Sequence, residues 1–310
     1  CSQITNLNLQ TFLKITDSDI ENLSKYFTKL KHLLLKNSEI TNEAITHITK
    51  MIQLTSLDLS GSRRINDISL LQHCKGLTSL SITDCNEIID FTFLQHCKGL
   101  TELHLPIYME DISFLQHCNE LTILDLPLSK IKDFSFLQHC KFLTSLDLTW
   151  NNTTKDFSFT QHCKGLTKLN LAKCNQIKDF SFLQHCQFLT SLSLASCSQI
   201  NDFSFLQHHK GLTSLDLTFC NQINDLNFLQ HCKELTILKL SMCFKLNDIS
   251  FLQHCNELTI LDLSECSNIG DISFLQHCKK LTSINLLKCS LITKNSVRLL
   301  ESRGVLLQNI

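Results

Sequence analysis

Apolar residues recur along this chain in two alternating strings. The first is LTxLxLxxC, whose leucines alternate with polar residues, as a strand with one buried face requires. It begins at Leu54, Leu77, Leu100, Leu121, Leu143, Leu166, Leu189, Leu212, Leu235, Leu258 and Leu281. Weaker copies start at Ile4 (ITNLNL) and Leu30 (LKHLLL), which makes thirteen turns. The second string is LQHC or a close variant. Its histidines are His73, His96, His117, His139, His162, His185, His208, His231, His254 and His277, at spacings of 23, 21, 22 and then 23 six times. A period near 23 is too short for two helices with their turns. It predicts one strand and one short return segment per turn.

The return segment reads D-F-S-F-L-Q-H-C. Its aspartate recurs at Asp67, Asp90, Asp111, Asp133, Asp156, Asp179, Asp202, Asp225, Asp248 and Asp271. A carboxylate there can accept the free N–H groups of the next two or three residues and start the turn. The rest of the segment has room for one or two helical turns, of the 3₁₀ kind. The first Phe, the Leu and the Cys are expected inside, and Gln, His and Lys outside.

LTSLDLTFCNQI (residues 212–223) resembles the LxxLxLxxC/N core of the leucine-rich repeat family. The Asp-Phe-Ser-Phe-Leu return is similar to that of the internalins and of the leucine-rich protein-phosphatase regulators. The Cys at the usual Asn position resembles the cysteine-containing class found in F-box substrate receptors. The resemblance covers almost the whole chain. It implies an α/β leucine-rich repeat solenoid (horseshoe or arc), with a parallel sheet on the concave face and short 3₁₀ turns on the convex face.

Length alone, 310 residues, suggests two domains. With 7 Gly and 2 Pro there is no linker-like stretch, so residues 1–310 read as one domain of about thirteen turns, with a cap over about 291–310. In that cap Val297, Leu299 and Leu300 form an apolar stripe, while Arg298 and Glu301 face water. The start at Cys1 reads as a cut or processed end. A net charge of −1 supplies no basic field for nucleic acid or an anionic membrane. No apolar run reaches the roughly 18 residues of a membrane span.

Seventeen Cys fall into two columns plus Cys1. One column, from Cys85 to Cys289, ends the strands; the other, from Cys74 to Cys278, lies in the return turns. Neighbours on a ladder point the same way, which suits packing rather than disulfides. So many free thiols imply a reducing, cytoplasmic setting, in the protein's own cell or in a host's. Adjacent His and Cys should diverge, so they form no zinc site. No HExxH, P-loop, GxGxxG or GxSxG occurs, and no cofactor is implied. Three sequons, at Asn22, Asn151 and Asn152, read as chance.

In a solenoid, function lies where the period breaks on an exposed face. The short turns begin at Leu100 and Leu121. Pro106 and Pro127 sit in them, and the single Trp, Trp150, comes in the next turn. The expected partner-binding site is therefore Tyr108, Leu128 and Trp150, with Asp125 and Asp147 supplying charge. A second patch is Phe219 and Met242. The competing reading makes Trp150 a filler of the irregular turns. The chain is expected to be a non-catalytic monomer that binds a protein partner on its concave face. Three settings fit: substrate recognition for a ubiquitin ligase, an internalin-like or effector protein of a host-associated bacterium, or the substrate-selecting arm of an enzyme whose catalytic domain lies elsewhere. An upstream F-box would favour the first and a secretion signal the second.

Overall fold

A computed structural model describes residues 3–12 and 14–308. It holds two compact units, residues 1–147 and 148–310. Cys1 lies outside the described residues.

The first unit contains seven three-residue strands: β1 Asn6–Asn8, β2 His32–Leu34, β3 Ser56–Asp58, β4 Ser79–Ser81, β5 Glu102–His104, β6 Ile123–Asp125 and β7 Ser145–Asp147. Each pairs in parallel with the next in chain order. The length of a turn decides what fills it. From β1 to β2 the register steps 26 residues and from β2 to β3 it steps 24. Those turns hold true α-helices, α1 (Asp17–Tyr26) and α2 (Asn42–Ile48). From β3 on the steps are 23, 23, 21 and 22 residues, and the returns shrink to 3₁₀ segments.

The second unit contains β8 Lys168–Asn170, β9 Ser191–Ser193, β10 Ser214–Asp216, β11 Ile237–Lys239, β12 Ile260–Asp262, β13 Ser283–Asn285 and β14 Leu306–Gln308. They too run parallel in chain order. The expected cap contains a helix, α3 (Lys294–Ser302), and then β14, a strand that the LxL pattern does not reveal. Leu300 and Val305 are buried, but Leu299 is 67% exposed, so the stripe is narrower than the sequence suggests. Arg303 closes the end. Its guanidinium donates to the carbonyls of Leu275 (2.8 Å) and Cys278 (2.7 Å), as a second donor beside the backbone N–H groups of Cys278 and Leu281.

Three side-chain ladders repeat along the chain, and two of them, the Thr and Cys ladders, tie neighbouring turns together. Each recurring aspartate accepts the N–H two residues on, at 2.7 or 2.8 Å, from Asp67 and Ser69 through Asp271 and Ser273. That bond holds the carboxyls of Asp90, Asp133, Asp202 and Asp271 below their ordinary range. The Thr that precedes each of β3 to β7 and β9 to β13 donates its hydroxyl to the carbonyl of the equivalent residue one turn earlier. Thr78 bonds Thr55 and Thr213 bonds Thr190 in this way, at 3.1 and 3.0 Å.

The strand-end cysteines donate to a leucine carbonyl of the preceding turn at 2.9–3.2 Å, as Cys85 does to Leu59 and Cys266 to Leu240. The return-turn cysteines are less uniform: Cys232 and Cys255 lie 3.9 Å from the matching carbonyls, and Cys278 lies 3.2 Å from its own. All sixteen described thiols are free, and all but Cys74 are buried. Burial pushes Cys85 up to about 11 and Cys118 up to about 12. Two substitutions show what a ladder site requires. Asn151, fully buried at a strand-end position, accepts the N–H groups of Thr153 (3.3 Å) and Thr154 (3.2 Å). His209, fully buried at a return-turn position, has no partner for either ring nitrogen.

Candidate functional site

The outward residues of the strands, with the residue three or four positions past each strand, form the variable surface of each unit. The return segments hardly vary from turn to turn, whereas these positions do.

The residue just before the strand-end ladder is left-handed in every turn from β2 to β13. In the first unit these are Asn37, Gly61, Asp84, Tyr108 and Leu128, with φ between 54° and 74°. In the second they are Trp150, Lys173, Ser196, Phe219, Met242, Glu265 and Lys288, with φ between 58° and 65°. The conformation turns the chain off the strand and aims the N–H at the next turn. Trp150 N–H meets the Ala172 carbonyl at 2.8 Å, and Phe219 N–H meets that of Ser241 at 2.7 Å. Gly and Asn suit this geometry. At Gly61 an added Cβ would lie 2.2 Å from Asn37 Oδ1, so a larger residue requires the exposed Asn37 side chain to move. A side chain with a Cβ costs about 1–2 kcal/mol there. Nine of the twelve positions nevertheless carry Tyr, Leu, Trp, Lys, Ser, Phe, Met or Glu.

The residues expected to bind a partner fall into two classes. Tyr108, Leu128, Trp150, Phe219 and Met242 are all members of this left-handed column, at the margin of the strand face rather than on a strand. Tyr108 is 58% exposed and Trp150 43%, so Trp150 does not fill a gap in the core. Within the second unit the Lys173 ammonium lies 4.2 Å from the Trp150 ring centroid. Phe219 packs edge-on against Phe244 at 6.5 Å, and both rings are about two-fifths exposed. Sequence reasoning misses Phe244, because it lies two residues past its column position, where the repeat carries no signal.

Asp125 and Asp147 are strand residues of the first unit. Asp125 is engaged internally. His104 Nδ1 lies 2.5 Å from Asp125 Oδ2, and Nε2 lies 3.0 Å from Glu102 Oε1. The Asp125 bond, and then Glu102, outweigh burial and hold His104 up to about 9, so it is a cation at neutral pH. Glu102 also accepts the Ser79 hydroxyl at 2.9 Å. Carboxylate and hydroxyl therefore meet with no imidazole between them, which is not the order of a nucleophilic triad. Nothing in the repeat pattern singles out His104.

Among the described residues no three or more His, Cys, Asp or Glu side chains group as metal ligands. Nor is any helix among them long and apolar enough to cross a membrane.

A family model for leucine-rich repeats matches residues 52–96, 141–185 and 164–208. An internalin (InlF) from Listeria monocytogenes is structurally similar, at 25% identity and a TM-score of 0.70, over 90% of this chain and 88% of that one. An internalin C2 from the same organism is 27% identical over 58% of this chain and 76% of its own, with a TM-score of 0.51. The functional domain of InlJ from Listeria monocytogenes, which includes a cysteine ladder, is similar in fold: 19% identity, TM-score 0.56, 90% of this chain and 68% of that one. The sequence has no match among curated proteins.

Proposed function

Since this chain is a leucine-rich repeat protein, we propose that it is a protein-binding module with no chemistry of its own, recognising its partner through the outward strand residues and the left-handed column. One observation carries this reading. The column keeps bulky and charged side chains where the backbone asks for Gly or Asn, while the buried positions and return turns stay nearly constant. Strain retained at exposed positions marks function more readily than packing does. Tyr108 and Leu128 serve in the first unit, and Trp150, Phe219 and Met242 in the second, with Asp147 adding charge.

The internalin-like setting is the one that the structural likeness favours. The Cys at the Asn position is the one feature that resembles F-box receptors, and no comparison supports the ubiquitin-ligase setting. The cytoplasm, its own or a host's, is the proposed location, because it keeps ladder thiols reduced. A photo-crosslinking residue placed at Tyr108 or Phe219, in cells that make the protein, tests the reading. Crosslinks from these two positions and none from Lys210, on the return-turn side, are expected. A partner captured only from Lys210 would sink it.

A further inference from the structure

The two units differ in the charge of their outward strand positions. On β3 to β7 these are Ser56, Asp58, Ser79, Ser81, Glu102, His104, Ile123, Asp125, Ser145 and Asp147. Four carboxylates face one imidazolium, and these ten positions hold no Lys or Arg. The equivalent positions of β8 to β12 carry Lys168 and Lys239 against Asp216 and Asp262, and Lys239 bridges Asp216 at 3.5 Å. That face is balanced within itself. Since the whole chain has 28 Lys and Arg against 29 Asp and Glu, the excess on the first unit's face reflects placement, not composition.

Three acids are gathered at one place. Asp58, Asp84 and Glu102 line a shallow depression of about 400 Å³, with serine hydroxyls between them and Lys36 and His104 as its cations. A purely local reason for the aspartates exists. Asp58, Asp216 and Asp262 each accept the N–H two residues on, at 2.8–3.0 Å. However, Asn170 and Asn285 make the same bond at the same register, at 3.1 and 3.2 Å. The turn therefore needs a side-chain oxygen and not a charge. At Asp58 the charge is surplus to the fold, whereas Asp125 and Glu102 also bond His104; an excess of like charge held together costs stability.

We propose that the outward face of β3 to β7 docks a lysine- or arginine-rich segment of the protein partner. The inference rests on the reading of the chain as a protein-binding module and adds the chemistry of what it binds. The five strands span about 19 Å at strand spacing, the length of some six extended residues. Opposite charge across such a face steers encounter and sets salt dependence more than it sets final affinity.

The test uses the full chain and a fluorescein-labelled hepta-arginine peptide, with hepta-glutamate as the opposite-charge probe, read by fluorescence anisotropy at low salt. Asp58→Asn with Asp147→Asn removes two charges and supplies the residue already found at Asn170 and Asn285. Asp216→Asn with Asp262→Asn makes the same chemical change on the second unit. The expected result is that wild type binds the arginine peptide and not the glutamate peptide. The first double variant should bind about ten-fold more weakly, and the second should be unchanged. The proposal is overturned if both double variants lose affinity alike, if neither does, or if wild type does not bind. A partner crosslinked at Tyr108 through a segment without Lys or Arg would end this proposal and leave the protein-binding reading intact.

Discussion

His209→Cys separates a ladder of thiols from a ladder that merely tolerates one odd member. The imidazole is fully buried, and both ring nitrogens lack partners. Burial, with a smaller push from His208, lowers it from 6.5 to about 4. The folded state therefore holds His209 neutral, and the unfolded chain takes up the proton first. Stability is undiminished above pH 6.5 and is lost as pH falls toward 4. At 1.36 kcal/mol per unit the full loss is about 3 kcal/mol. Cysteine restores the residue found at this register in the neighbouring turns, Cys186 and Cys232. At neutral pH, unpartnered ring nitrogens cost about 1–3 kcal/mol and the cavity left by the smaller side chain about 1 kcal/mol, so the net change is small. The informative quantity is the slope. Urea midpoints can be read from the fluorescence of Trp150, the only Trp and a member of the same unit. Measured from about pH 7.5 to 4.5, the two proteins should diverge on the acid side, the variant being the more stable by an amount approaching about 3 kcal/mol. All other histidines are common to both and cancel. Parallel curves would show that His209 is hydrated or partnered in solution, and the reasoning would fall.

Trp150→Gly should be more stable than Trp150→Ala by about 1 kcal/mol, because only glycine relieves the left-handed backbone; equal melting temperatures would contradict the strain argument. Cys220→Ser should cost about 1 kcal/mol, since its hydroxyl inherits the Leu194 carbonyl that the thiol meets at 3.2 Å. Cys255→Ser should cost about 2–3 kcal/mol, because its carbonyl lies at 3.9 Å; the reverse order in urea titrations would refute the argument from distance. His104 is raised, so its contribution is complete below pH 6.5 and fades as pH rises through about 9. His104→Gln should flatten the alkaline limb of the stability curve, and an unchanged limb would place the interaction outside the folding equilibrium.

Sequence reasoning succeeds where one physical requirement repeats. Strand alternation, aspartate turn bonds and inward cysteines each recur about ten times, and repetition reveals them without any structure. It fails where a position is defined by backbone shape rather than residue type. Trp150, Phe219 and Met242 stand out as residues, yet their side chains give no sign of a positive φ, and only Gly61, Asn37 and Asp84 hint at it. His104 is invisible because its partner Asp125 belongs to a different strand. His209 is visible in LQHHK, but that copy reads as one more surface histidine pair. The strand β14 lies beyond the last LTxLxL, and its Leu306 and Leu307 carry no turn signature.

The threonine ladder has a consequence for length. Each hydroxyl reaches one turn back and no further, so no bond in the ladder depends on how many turns precede it. A duplicated 23-residue turn within a unit would restore every hydroxyl, thiol and aspartate bond to an equivalent partner, lengthening that run of strands by about 4.8 Å. Turns of 21 and 22 residues already precede β6 and β7, and Cys118 and Cys140 stay buried there, so the connection after a strand absorbs a change of a residue or two. The chain can therefore be extended or shortened by whole turns without rewriting its interior, and reach along the strand stack becomes a quantity set by gene length.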